Sequence, residues 1–144
     1  MNSFDYVADL SLAEKLIFLR MIIRLIGKDG RIDADERLFM KELAEQYHIP
    51  KEYGVQINKK STEDELIAEA QSLLDRKKSI YLIKELLMIA NVDNDLDDTE
   101  IDFVIKVSRA LNIEDQKVSD LNQLVLDQIS LQEKLIKVLE LNKA

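Results

Sequence analysis

The sequence predicts an all-α protein, a single compact domain of about seven helices, and three observations carry that prediction. One Pro and three Gly in 144 residues leave little of the turn punctuation that a strand-rich fold needs. Apolar residues make up 47% and charged residues 33%, a balance that can bury a core and still give each helix a wet face. An acidic loop also occurs twice: Asp29-Gly30-Arg31-Ile32-Asp33-Ala34-Asp35-Glu36 returns as Asp93-Asn94-Asp95-Leu96-Asp97-Asp98-Thr99-Glu100, at a constant offset of 64. Each copy follows an apolar helical run and precedes an amphipathic one. The chain reads as a duplicated helix-loop-helix, with repeat 1 at about 11–50, repeat 2 at about 77–114 and C-terminal helices over 114–142.

Each element has a local reason. Ser11-Leu12-Ala13-Glu14 has capping-box form, so a helix starts there. It runs through Leu16, Ile17, Leu19, Ile22, Ile23, Leu25 and Ile26, leaving Glu14, Arg20 and Arg24 for its wet side, and belongs in the middle of the domain. Gly27 and Gly30 end it through their access to positive φ. Asp33 to Glu36 caps the next helix, in which Leu38, Phe39, Leu43, Ala44 and Tyr47 recur at helical spacing, and Pro50 permits only a new start. A short turn containing Gly54 follows. Thr62 to Glu65 then caps an amphipathic helix whose C-terminal end is expected at the basic cluster Arg76-Lys77-Lys78, where cations complement the dipole. Ile80 to Ala90 repeats the first helix, with Lys84 and Glu85 on its polar edge. Past the second loop, Phe103 answers Phe39 and Asn112-Ile113 answers His48-Ile49. A helix from about Glu114 and a last one capped by Ser130 to Glu133 complete the chain.

Charge and composition exclude several function classes. A net charge of −8 and a pI near 4.7 argue against nucleic acid and against general attraction to anionic lipid. With no Cys there are no disulfides, thiolate nucleophiles or sulfur-rich metal sites. Residues 1–10 lack the opening of a secretion signal, and the most apolar run is interrupted by Arg20 and Arg24, so a soluble, cytoplasmic protein is expected. His48 is the only histidine, and no Ser stands in a nucleophile elbow. No catalytic constellation emerges, and a non-enzymatic role is expected.

The loop acids are the candidate site. An EF-hand register that puts Gly30 sixth places Leu25 and Gly27 at the first and third ligand positions, and Ile89 and Asn91 in the second copy, so the first carboxylate is missing from both. Between Asp93 and Asp102 stand six acids and no base, which makes the second loop the better cation candidate. Asp33 and Asp97 occupy N-cap positions, with Glu36 and Glu100 three residues on, and capping explains them more simply than ligation. Asp29 and Asp93 follow the C-terminus of an apolar helix, where negative charge opposes the dipole, and so call for a partner. For Asp29 a turn-forming role comes first; for Asp93 turn and metal roles stand level. Asp29, Glu36, Asp93, Asp97 and Glu100 are the candidate metal ligands, and an all-oxygen set selects Ca²⁺, Mg²⁺ or Mn²⁺.

The pair Asp29-Gly30-x-Ile32-x-x-x-Glu36 and Asp93-x-x-Leu96-x-x-x-Glu100, each between apolar helices, resembles the TerB-like, tellurite-resistance-associated domains. That resemblance implies a compact all-α fold with pseudo-twofold repeats and acidic positions that meet divalent metal, here Asp29, Glu36, Asp93 and Glu100. It also implies a stress-response role beside a protein partner, often a membrane-embedded resistance protein. Asn94 departs from the Gly of the pattern, although Asn tolerates the left-handed turn. The alternatives are a purely structural interaction domain in which the loop acids are caps and turn residues, and a metal-dependent hydrolase using Asp93, Asp97 and Glu100.

Overall fold

Ser11 and Asp75 start the two helices around which the chain is wound. The computed structural model describes residues 6–27, 34–57, 59–92 and 98–140. A 3-10 turn at Tyr6–Asp9 leads into α1 (Leu12–Ile26), α2 (Ala34–Gln46), a second 3-10 turn (Lys51–Tyr53) continuing into α3 (Gly54–Ile57), α4 (Glu63–Leu73), α5 (Arg76–Val92), α6 (Asp98–Ala110) and α7 (Asp115–Leu139). The described residues form an all-helical fold without a strand. None of these helices is long and apolar enough to cross a membrane.

The offset of 64 recurs in the local geometry. The Ser11 hydroxyl accepts from the Glu14 N–H at 3.2 Å, and the Asp75 carboxylate accepts from the Lys78 N–H at 2.8 Å. The limits of α2, shifted by 64, are those of α6. Both helices end in the same motif: His48 (φ 57°) and Asn112 (φ 61°) take the left-handed conformation, while Ile49 and Ile113 donate back to Ala44 and Ser108 at 3.0 and 2.9 Å. His48 is thus a helix-end residue, the role its position suggested. Pro50 and Glu114 then have nearly the same backbone angles, opening the 3-10 turn and α7 respectively.

The core sits between α1 and α5. Phe18, Leu19, Ile22, Leu82, Ile83 and Leu86 have no exposed surface, and Met40, Leu43, Val104, Val107, Leu121 and Val125 close over them from α2, α6 and α7, with Ile113 from the link between α6 and α7. Four sequence expectations are corrected. Glu14 and Arg20 are buried, not wet: Glu14 accepts from Lys78 Nζ at 2.9 and 3.0 Å, and Arg20 donates to Glu69 at 2.6 Å and to the Ser61 hydroxyl. The cluster Arg76 to Lys78 is the first turn of α5, not the end of α4. The dipole there disfavours cations, but the Asp75 cap, the Arg76–Glu114 pair at 2.7 Å and the Lys78–Glu14 pair offset that cost. Gly27 ends α1 at φ −101°, without a left-handed turn, and Gly30 lies outside the described residues. Ser130 starts no new helix, because no Gly or Pro interrupts the run from 115 and α7 continues as one helix of 25 residues.

Two stability effects follow. Leu82→Ala is expected to cost about 2–5 kcal/mol in urea unfolding, since its surroundings are packed on every side. Asp75→Ala is expected to cost about 1 kcal/mol, as Ser11→Ala is, because each removes a helix cap.

Candidate functional site

The ends of the central helices and the starts of their successors enclose a cavity of about 470 Å³. Ile26 closes it from α1, while α2 contributes Asp35, Glu36, Phe39, Leu43 and Gln46. Glu85, Met88, Ile89 and Val92 line it from α5, and Glu100 from α6. Glu36 and Glu100, which occupy the same place in the two repeats, therefore line one cavity. Each lies in the first turn of its helix, where the dipole favours a carboxylate. Glu36 is half-buried and Glu100 is buried.

Of the other sequence candidates, Asp29, Asp93 and Asp97 lie outside the described residues, as does the Asp33 cap position. Among the described residues, no three acidic or histidine side chains are grouped so as to hold a metal ion. Two further acids, Asp35 and Glu85, reach the cavity. The first was visible as a loop acid. The second was read only as the polar edge of a helix, and the sign of its position was its place one turn before Ile89. Phe39 also departs from its counterpart: it is 38% exposed and opens on the cavity, whereas Phe103 is 7% exposed and belongs to the core.

Glu85 is fixed from the N-terminal turn. The Tyr6 hydroxyl donates to its carboxylate, and the Tyr6 ring stacks on Tyr81 at 4.5 Å between centroids. Lys84 lies 5.6 Å from the Tyr6 ring centre and Lys77 5.7 Å from that of Tyr81, so both rings carry a cation on one face. Tyr47, from the end of α2, has a buried hydroxyl near the same carboxylate that closes no hydrogen bond of ordinary geometry. Burial first, and then the Glu85 charge, push both tyrosine pKa values well above the ordinary 10. At Glu14, burial pushes the carboxyl up, but the Ser11 backbone N–H and Lys78 outweigh it and hold the group below its usual value.

The lining thus combines carboxylates at the start of α2 and α6 with an apolar wall from α1, α2 and α5. Carboxylates beside apolar surface suit a cationic group on an apolar stem. A larger opening of about 730 Å³ lies elsewhere along α2, between Arg37, Met40, Lys41, Ile49, Lys51 and Ile57, and contains none of the sequence-marked acids. Comparison of the chain with protein-family models, curated proteins and solved structures finds no match.

The tyrosines should separate by substitution. Tyr6→Phe removes a hydrogen bond to a charged acceptor and is expected to cost about 1.5–3 kcal/mol, while Tyr47→Phe is expected to stay within about 0.5 kcal/mol of the parent. Because both folded pKa values are raised, the stability these groups contribute is complete below the unfolded value of 10.0 and declines as pH rises above it. Urea midpoints measured from neutral to strongly alkaline pH should fall above pH 10.0, and fall less steeply in the Tyr6→Phe/Tyr47→Phe variant.

Proposed function

We propose that the chain is a TerB-like, non-catalytic binding module of two helix-loop-helix repeats related by an approximate twofold axis, whose acidic cavity receives a basic side chain of a protein partner. The observation that carries this reading is the convergence of Glu36 and Glu100 on one cavity walled by Phe39, Met88 and Val92. The twofold relation draws support from a second pair at the same offset, because Glu14 and Lys78 meet each other at 2.9 Å. A residue meets its own counterpart only close to an axis that relates the two copies. The stress-response and tellurite-resistance role, the cytoplasmic setting and a membrane-embedded partner rest on the family resemblance alone.

A second reading has the cavity hold a divalent cation, Ca²⁺, Mg²⁺ or Mn²⁺. It is favoured by the position of Glu36 and Glu100, two oxygen donors, in the first turns that follow the two acidic loops.

Arrayed peptides that place Lys or Arg beside Leu and Phe provide the test. Peptide binding is expected to weaken with salt and to fall roughly tenfold in Glu36→Gln and in Glu100→Gln, since each loses a charge-assisted contact. Asp120→Asn, remote from the cavity lining, should leave it unchanged. Peptide binding indifferent to both glutamates, or none at all, would overturn the peptide reading. Calorimetric heat from Ca²⁺ or Mn²⁺ that disappears in the same variants would establish the cation reading in its place.

A further inference from the structure

The last helix is longer than the body it packs on. Val118, Leu121, Val125 and Ile129 of α7 face the core, but from residue 130 to residue 140 every side chain is exposed. A separate apolar stripe runs along the same helix, through Leu124 (60% exposed), Leu131 (67%), Leu135 (53%) and Val138 (78%). At 3.6 residues per turn these positions fall within about 60° of one another, and that sector lies about 115° round the helix from the core-facing line. The spacing of seven, four and three is that of a coiled-coil seam, with Gln128 filling the remaining position. Ten residues of helix without packing are marginal in water, so this overhang is expected to be covered.

The charges beside the stripe say by what. Asp127 and Lys134, seven residues apart, flank the same edge of it. We infer that α7 pairs antiparallel with α7 of a second copy through Leu124, Leu131, Leu135 and Val138. In a twofold antiparallel pair each edge of a seam meets the same edge of the other helix. Asp127 then faces Lys134 of the second copy, and Lys134 faces its Asp127, so one sequence supplies both halves of two ion pairs. A parallel pair would set Asp127 near Gln132 and Lys134 near Leu139, leaving both charges without opposite partners. In the antiparallel register Leu131 lies close to the axis beside Gln128 of the second copy, and Leu124 packs against Leu135 of the second copy. The surface is separate from the acidic cavity and does not rest on the reading given to it.

Sedimentation equilibrium on the 144-residue chain, from low to high micromolar, should report twice the 16.7 kDa chain mass. Asp127→Lys and Lys134→Asp alone each turn both ion pairs into repulsions and should weaken the dimer roughly tenfold or more. The double exchange restores opposite charges and should return the dimer constant to within a few-fold of the parent. Leu131→Glu/Leu135→Glu should be monomeric, with the helical circular dichroism of the remaining chain retained. A parent that stays monomeric throughout, or a double exchange no tighter than either single variant, would overturn the inference. Binding of a monomeric parent to phospholipid vesicles through Leu131 and Leu135 would overturn it in favour of a membrane surface.

Discussion

The burial of α1 and α5 on nearly all sides is the constraint on which the other helices depend. Two helices that spend most of their circumference on Phe18, Ile22, Leu82 and Leu86 leave little free face, and some of their polar groups, Glu14 and Arg20 among them, are enclosed. Each enclosed polar group must find its partner in a neighbouring element, because a buried charge without one costs several kcal/mol. Arg20 reaches Glu69 and Ser61, holding α4 and the segment before it. Glu14 takes Lys78, Glu85 takes the N-terminal Tyr6, and Asn91 donates to Asn122 of α7 at 3.1 Å. Hydrophobic burial supplies most of the driving force, and these few polar contacts decide which neighbour lies where.

The same constraint shapes the cavity. α1 and α5 are close-packed along their middles, while their C-terminal ends, at Ile26 and Val92, line the cavity together with Glu36 and Glu100 from the first turns of α2 and α6. Carboxylates there complement the helix dipoles, so acidity at the cavity is stable before any ligand arrives. Glu85 shows how such a group is held in place: the Tyr6 hydroxyl donates to its carboxylate, and Lys84 lies over the Tyr6 ring.

The fold was largely legible because its signals are local. Ser11, Thr62 and Glu114 mark helix starts in the chain and begin helices in the structure. The offset of 64 also extends to the helix starts. Applied to Ser11 it points to Asp75, which would have moved Arg76 to Lys78 from the end of one helix to the start of the next. Partners were harder to read than periodicity: a helical wheel assigns Glu14 and Arg20 to solvent, and only the packing of α4 and α5 shows that they are enclosed. Ser130-x-x-Glu133 has the form of a cap but lacks the break in backbone that a cap needs. At the site, the acids beside the helix starts could be read from spacing. The approach of Glu85, 49 residues after Glu36, could not, because nothing local encodes it.

The meeting of Glu14 with Lys78 has a consequence for how such a protein can be built. On the twofold arrangement proposed above, two separate identical halves would present the same side chain to itself there, Glu against Glu or Lys against Lys, and like charges so placed repel. A single chain encodes the two positions independently, and here they carry opposite charges that attract.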